Sequence, residues 1–314
     1  MDRDRVFAFL AARQSEGRAC VLVTVMAVEG SSIRNPGTHM GVCEDGRFVG
    51  SLSGGCIENA VVSEALVALR EGAGRVVRFG AGSRFIDITL PCGGGIDVHF
   101  QPLDGSDFVD QCSAAIAARR PFTVQISTDG IACVSGWQPL EANIEAGTGR
   151  FGHWPQPRLT IVGHGASVEA LAKLARAMEI RSDILTPDEA MRERLAADEF
   201  TVQRLERTSD THLLTGDAWT AFVFLFHDHD WEVQLLARAL ALPHFYCGAM
   251  GSRKAHAARN EALVAAGVSA EAIASINAPI GLFHSSRDPE TLALSTMSEI
   301  VSVYQATDFE RDLG

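Results

Sequence analysis

The chain has no excess of basic residues. Lysine and arginine together number 27 of its 314 residues, against 39 aspartates and glutamates, and the formal net charge is −12. A protein that binds nucleic acid presents a basic face, so this balance argues against a nucleic-acid partner. The acidic residues form no long run, which predicts a negative charge spread over a solvated surface.

Long hydrophobic runs and paired cysteines are also missing. No apolar stretch approaches the roughly 18 residues of a membrane span, and residues 1–5 lack the hydrophobic segment of a signal peptide. The 7 cysteines are scattered without a C-x-x-C pair, which indicates free thiols and not a zinc ribbon or a disulfide framework. These absences predict a cytoplasmic protein with no membrane partner.

The apolar sequence that is present suffices for two cores. A chain of 314 residues, of which 46% are hydrophobic, can form two domains. Residues 145–157 are rich in glycine and proline and break the surrounding periodicity. We therefore predict a linker at 145–157 that joins a domain at 1–150 to a second domain at 157–314. Asp-Gly pairs at 45–46 and 129–130 predict hairpin turns.

The first candidate site is the glycine-rich segment at 50–60. It contains Ser53, Gly54, Gly55 and Cys56, follows a short predicted strand, and leads into a predicted helix that begins at Ile57. Glycines let the backbone approach a ligand closely, and unpaired N–H groups at a helix N-terminus attract anions such as phosphate. A tight structural turn with a small buried cysteine explains the same residues equally well.

A second segment repeats this chemistry. Cys92, Gly93 and Gly94 stand between two segments, 85–90 and 96–100, that alternate with the period of strands. In both glycine-rich segments a cysteine thus lies beside a glycine pair at a predicted strand end, which favours a pocket with two thiols. Two unrelated turns are the structural alternative.

Arg34 is a third candidate. It lies in a polar loop at 29–40 that also carries His39 and follows a strand predicted at 19–28. The planar guanidinium suits a phosphate or a carboxylate, so Arg34 is a candidate anion contact. A solvated loop arginine is the simpler alternative.

The second half of the chain has a different pattern. A strand predicted at 158–162 is followed by Gly163 and Gly165, a helix at 169–178 and a strand at 180–185. This order is typical of the start of a Rossmann-type unit. Further apolar runs, each followed by helical sequence, favour an open parallel sheet.

The dinucleotide fingerprint is incomplete. Val168 occupies the third glycine position, where close helix–strand packing favours a small residue, and Thr186 stands where an acid would bind a ribose hydroxyl. Asp188 follows two residues later and is predicted to cap the next helix. These departures argue against a nicotinamide dinucleotide, NAD(P), as the ligand.

Two segments fall where an open parallel sheet binds its ligands, beyond the carboxyl ends of the strands. His227 and Asp228 follow one predicted strand, and Gly251, Ser252 and Arg253 follow another. A cation in the first turn of a helix opposes the helix dipole, so Arg253 indicates an anion nearby. Helix capping by Asp228 and a surface-exposed Arg253 are the alternatives.

Taken in order along the chain, these motifs resemble the XdhC/CoxF family, maturation factors for molybdenum hydroxylases of the xanthine dehydrogenase type. The resemblance implies an α/β chain: an N-terminal α+β domain of the XdhC/CoxI type, followed by a Rossmann-like, doubly wound parallel-sheet domain. The residues that carry it are Gly30-Ser31-Ser32, Arg34, Pro36-Gly37, Met40, Ser53-Gly54-Gly55-Cys56 with Glu58, Cys92-Gly93-Gly94 with Pro102-Leu103, Gly163-x-Gly165, His227-Asp228, Gly251-Ser252-Arg253 and Ala278-Pro279-Ile280-Gly281-Leu282.

The resemblance also implies a non-catalytic carrier. Such proteins bind the molybdenum cofactor, a molybdopterin in mononucleotide or dinucleotide form, and protect it while a cysteine desulfurase equips it with sulfur. They then deliver it to an apo molybdenum hydroxylase, and they usually act as homodimers.

On this basis we expect Cys56, with Cys92, to face the molybdenum, while the loop amides and Arg34 hold polar groups. The cofactor tail would lie against Gly163, Gly165, His227, Asp228, Gly251, Ser252 and Arg253. Two other functions fit the residues: an NAD(P)-dependent oxidoreductase that uses the Rossmann-like domain, and a thiol-based sulfur-transfer protein that uses Cys56 and Cys92.

Overall fold

The computed structural model describes residues 2–30, 34–85, 93–105, 107–226, 231–283 and 288–312. The chain divides into two compact units, Met1–Pro155 and Gln156–Gly314. The segment predicted as a linker, 145–157, contains the strand Thr148–His153, which pairs within the first unit. Within the described ranges, no helix is both long enough and apolar enough to cross a membrane.

The described part of the first unit combines helices with two antiparallel sheets. The helices are α1 (Asp2–Ser15), α2 (Glu58–Glu71) and α3 (Phe108–Ala117). The first sheet contains, in spatial order, β3 (Phe48–Val49), β2 (His39–Cys43), β1 (Cys20–Glu29), β5 (Gly95–Leu103) and β4 (Arg75–Gly80). The second sheet contains, in spatial order, β7 (Gly130–Ser135), β6 (Phe122–Ser127), β9 (Thr148–His153) and β8 (Glu141–Asn143).

Strand β1 is apolar along almost its whole length because both of its faces are covered. Cys20, Leu22 and Met26 belong to a core with α1, α3 and the second sheet. Val21 and Val23 belong to a separate core that packs under α2. This double burial explains the nearly continuous apolar run, and the strand predicted there is confirmed.

Both predicted Asp-Gly turns join hairpins. β2 pairs with β3 across the turn at 45–46, and β6 pairs with β7 across the turn at 129–130. The placement of His39 in a loop is wrong, because His39 is the first residue of β2 and pairs in register with Thr24. The polar residues before His39 led to the prediction of a loop that extends past the start of the strand.

The second unit is built on a parallel sheet, which confirms the predicted Rossmann-like fold. Its strands lie in the order β12 (Thr201–Arg204), β11 (Arg181–Thr186), β10 (Arg158–Gly163), β13 (Thr220–Leu225) and β14 (Tyr246–Ala249). From β10 the chain adds β11 and β12 on one side and then β13 and β14 on the other, as in a doubly wound sheet. The described helices are α4 (Ala166–Ala177), α5 (Glu189–Ala197), a short 3-10 helix (Thr211–Leu213), α6 (Glu232–Leu240), α7 (Arg253–Ala265), α8 (Ala270–Ala274), α9 (Pro289–Ala306) and α10 (Phe309–Asp312).

Val168 does not prevent α4 from packing on this sheet. Its side chain is fully buried and belongs to the core formed by one face of the sheet with α4 and α9. The backbones of β10 and β13 come close to each other at Gly163, earlier in the motif. A Cβ on Gly163 would lie 2.5 Å from the carbonyl oxygen of Leu225 on β13. The glycine that the fold requires is therefore the first of the motif.

Candidate functional site

Three loops of the first unit leave the same end of the first sheet. β1 ends at Glu29 and β4 ends at Gly80, both opposite Gly95 at the start of β5. β3 ends at Val49, opposite Gly41 in the middle of β2. Neighbouring strands in this sheet are antiparallel, so β1, β3 and β4 run in the same direction. The loops that follow these three strands therefore begin at the same end of the sheet. These loops contain Arg34, the glycine loop (residues 50–57) and the Gly93-Gly94 pair.

Two of these loops touch through glycines. A Cβ on Gly94 would lie 2.1 Å from the carbonyl oxygen of Glu29, and a Cβ on Gly30 would lie 3.2 Å from the Cα of Gly94. The backbone before β5 therefore packs directly on the backbone after β1, a proximity that the sequence could not show. Cys92 lies outside the described residues, so its predicted role stays a prediction.

The glycine loop closes around a carboxylate of the helix that follows it. Glu58, the first residue of α2, is only 6% exposed. Its Oε1 accepts hydrogen bonds from the Ser51 hydroxyl at 2.7 Å and from the Leu52 and Ser53 amides, each at 3.0 Å. Its Oε2 accepts from the Ser53 hydroxyl at 2.8 Å and from the Ile57 amide at 3.1 Å.

Two further amides of the loop bond to its serines. The Gly54 amide donates to Ser51 Oγ at 2.9 Å, and the Cys56 amide donates to Ser53 Oγ at 3.0 Å. These loop amides therefore bond within the chain, and the expected binding of an external anion at this loop stays a prediction. The donors do converge, but on Glu58.

The charge on Glu58 is stabilised by these donors. Burial by itself would raise the pKa of this carboxyl, but the hydrogen bonds from Ser51, Ser53 and the loop amides outweigh burial and lower the pKa to about 2. Glu58 is thus ionised at neutral pH and stays ionised well into the acid range. The anion that the glycine loop binds is therefore the carboxylate of Glu58, a residue of the same chain.

Cys56 is the exposed thiol of this loop. It forms no disulfide and its side chain is open to solvent, so it is not the buried cysteine of the structural alternative. Gly54 and Gly55, with φ of 76° and 110°, adopt backbone conformations that favour glycine just before it. The result is a solvent-exposed thiol on a hydrogen-bonded turn whose two glycines have positive φ.

Arg34 is partly buried, at the start of the described part of its loop. The next residues, Asn35 to Gly37, form a turn that is tied to β1, since the Gly37 amide donates to the Val25 carbonyl oxygen at 2.8 Å. Arg34 therefore lies beside a fixed backbone segment at the same end of the sheet as the glycine loop.

In the second unit, the turn between β10 and α4 is open on one side. Gly165 has a φ of 88°, and a Cβ at this position would meet no atom within 4 Å. The N-cap residue of α4 is Gly165, which has no side chain to cap the helix. The open space beside Gly165 leaves room for a ligand group at the carboxyl end of the central strand.

The place of the ribose-binding acid is filled by a buried threonine. Thr186 is fully buried, and its Oγ1 accepts a hydrogen bond from the Asp188 amide at 3.1 Å. Asp188 accepts from the Met191 amide at 3.0 Å and caps α5, as predicted. Neither residue presents a carboxylate to a ribose.

Ser252 and Arg253 lie at the start of α7, beyond the carboxyl end of β14. Ser252 caps this helix by accepting from the Ala255 amide at 3.2 Å, and both residues are exposed. Gly251, just before them, is partly buried. His227 and Asp228, predicted beside them, lie outside the described residues and their roles stay predictions.

A buried ion pair anchors this loop, and sequence reasoning missed it. Arg259 donates to both carboxylate oxygens of Glu232, at 3.0 and 3.2 Å, with side chains 1% and 0% exposed. The same guanidinium donates to the Met250 carbonyl oxygen at 2.6 Å. No local pattern marks this pair, because the partners lie 27 residues apart on different helices.

No preformed metal cage is found in the described residues, where no group of three or more histidines, cysteines or acids is arranged to hold an ion. A cavity of about 660 Å³ lies on the second sheet, lined by residues that include Gln125, Glu141 and Arg150. None of the residues predicted from sequence lines it. We therefore place the candidate site at the loops and not at this cavity.

Two family models match the chain. The model of the XdhC and CoxI family matches residues 13–80, and the model of the XdhC Rossmann domain matches residues 159–300. A relative from Escherichia coli (strain K12), the molybdenum cofactor insertion chaperone PaoD, is 32% identical over 302 residues, which span 96% of this chain and 89% of the relative. The chain belongs to the XdhC family.

A solved structure shares the fold of this XdhC-family chain. It is described as a xanthine dehydrogenase from Bacillus halodurans, with a TM-score of 0.78 and 21% identity, and the match covers 98% of this chain and 99% of the other. At that identity the likeness shows the fold alone. The glycine loop falls within the first family match, and Gly163, Gly165, Ser252 and Arg253 fall within the second.

Proposed function

We propose that this XdhC-family chain is a molybdenum cofactor chaperone. It binds the cofactor, protects it while sulfur is added, and delivers it to a molybdenum hydroxylase of the xanthine dehydrogenase type. The observation that carries the proposal is the exposed Cys56 thiol on a glycine loop whose Cys56 amide is held by the Ser53 hydroxyl. The relative that inserts the molybdenum cofactor, at 32% identity, supports the same role.

The chemistry of the loop suits this cargo. Sulfur ligands favour soft metal centres, and the molybdenum of the cofactor is already held by sulfur. Cys56 would contact the molybdenum or its dithiolene, with Cys92 as a second thiol from the neighbouring loop. Arg34 would hold a polar group, because its guanidinium offers a planar set of donors. A protein thiol at the metal would also shield it from oxidants during transfer.

The second unit would hold the phosphate or nucleotide part of the cofactor. Arg253 is exposed at the start of α7, and the N-terminus of α4 is open beside Gly165. On the sequence pattern alone, we add His227, Asp228 and Gly251 to the residues that would contact this part of the cofactor. The buried Thr186 leaves no acid for a ribose of the nicotinamide type, so the oxidoreductase alternative gains no support.

The partners follow from the role. We propose a cysteine desulfurase as the sulfur donor, an apo molybdenum hydroxylase as the acceptor, and a homodimer of this chain as the acting form, all in the cytoplasm. The chain itself would catalyse no reaction. Its contribution is to hold the cofactor and to release it.

An insertion assay with purified components tests the proposal. Apo-hydroxylase is incubated anaerobically with free cofactor, sulfurated beforehand, in the presence or absence of the chain, and enzyme activity and bound molybdenum are measured. The proposal predicts faster and more complete activation with the chain, and longer survival of the sulfurated cofactor in air. Equal activation with and without the chain would contradict it.

A further inference from the structure

Amides and hydroxyls of the glycine loop converge on the Glu58 carboxylate. Five hydrogen bonds end on the two oxygens of Glu58, three on Oε1 and two on Oε2. A carboxylate offers about four lone-pair sites, so these donors saturate it. A phosphate group at this place would have to displace the side chain.

We infer that Glu58 is a positioning residue: its carboxylate fills the anion site of the glycine loop, so that the loop meets its cargo through the Cys56 thiol and not through a phosphate. The inference rests on the proposed function for the identity of the cargo. The role of Glu58 in ordering the loop stands on the contacts alone.

A chain of hydrogen bonds connects the carboxylate to the cysteine. Ser53 Oγ donates to Glu58 Oε2, and it accepts in turn from the amides of Cys56, at 3.0 Å, and Ile57, at 3.1 Å. Removal of the carboxylate would free the Ser53 hydroxyl and, with it, the backbone that carries the thiol. It would also leave several buried donors without an acceptor, which is unfavourable.

The position of Glu58 in the helix adds to this effect. It is the first residue of α2, where a negative charge interacts favourably with the helix dipole. Another acid of the same helix, Glu64, is instead paired with Arg75 and Arg84. Charge on α2 in general therefore does not order the loop; the carboxylate at 58 does.

Hydrogen exchange of the glycine loop tests this role. In Glu58→Ala we expect the amides of Leu52, Ser53 and Ile57 to exchange about tenfold faster or more, because they lose the Glu58 carboxylate as acceptor. The amides of Gly54 and Cys56 should also exchange faster, because the serine hydroxyls that accept from them are no longer held by Glu58. Added acetate should restore protection by entering the vacated space, whereas chloride at the same ionic strength should not. Glu64→Gln serves as the matched control and should leave the loop unchanged.

A second variant keeps the test decisive if Glu58→Ala folds poorly. Glu58→Gln fills the same volume, but its NH₂ group cannot accept, so the loop should exchange faster and acetate should give no rescue. Unchanged exchange in both variants would overturn the inference. So would added inorganic phosphate that protects the wild-type loop, since the site would then be open to a phosphate.

Cofactor binding is measured separately on the same proteins. If the wild type binds no molybdenum cofactor, the proposed function fails while the exchange data still decide the role of Glu58. If the wild type binds, the inference predicts weaker binding by Glu58→Ala and recovery with acetate. Binding by Glu58→Ala at wild-type strength without acetate would contradict the link between Glu58 and Cys56.

Discussion

The Nε2 atoms of His39 and His153 lie 2.9 Å apart in the core of the first unit. The Nδ1 atom of His39 also lies 2.9 Å from the Thr24 hydroxyl. Only one of two facing ring nitrogens can carry the shared hydrogen, so the two imidazoles cannot both be protonated in this geometry. Burial, with Arg3 nearby, lowers the pKa of His39 to about 3. Burial, with His39 and Arg3 nearby, also lowers the pKa of His153 well below its ordinary value.

The histidine pair predicts loss of stability in mild acid. Both folded-state pKa values lie below the ordinary value of 6.5, so below about pH 6.5 the unfolded chain binds protons that the folded chain excludes. Stability should fall as the pH drops from about 6.5 towards 3, by up to about 1.4 kcal/mol per pH unit for each histidine. Urea unfolding between pH 8 and pH 5 measures this slope. A His153→Gln variant should show a shallower slope, and an identical slope would contradict the account.

The buried pair of Glu232 and Arg259 predicts a large effect in the second unit. Glu232→Leu leaves a buried guanidinium without its partner and should cost about 3–5 kcal/mol of unfolding free energy. The double variant with Arg259→Met should recover part of that loss, because no charge is left unpaired. Urea unfolding gives these values, and Glu169→Gln, which removes an exposed ion pair with Arg194, is the control that should change little. A single variant as stable as the double variant would contradict this prediction.

The cysteines should differ in their order of alkylation. A hydrogen bond from Cys112 lowers the pKa of Cys133, which is partly exposed, whereas burial raises that of Cys112. Burial also raises the pKa of Cys20 and of Cys247 to about 12. We expect iodoacetamide to label Cys133 before these buried thiols at neutral pH, as read by peptide mass spectrometry. Labelling of Cys133 no faster than Cys247 would refute this order.

The sequence predicted those elements whose signals are local. The apolar run of β1, the Asp-Gly turns and the Asp188 cap each depend on residues a few positions apart, and all three are confirmed. The Rossmann-like sheet was also visible, because the order of strand, glycine turn and helix is itself local.

Contacts between residues that are far apart in the sequence could not be predicted from it. Nothing near Gly94 shows that its backbone lies against Glu29, and nothing near Glu232 indicates Arg259. The strand at Thr148–His153 was missed because its glycines suggested a linker, whereas pairing with β6 holds it in place. Glu58 was part of the recognised motif, but its role appears only when the carboxylate is seen to turn back on the glycine loop.

The most direct test of the account is the cofactor content of the purified chain. Wild type, Cys56→Ala and the matched control Cys133→Ala are purified anaerobically from cells that make the cofactor, and molybdenum and pterin are quantified per chain. The account predicts near-stoichiometric cofactor in the wild type and the control, and its loss in Cys56→Ala. Equal cofactor in Cys56→Ala and wild type would contradict the claim that this thiol holds the cargo.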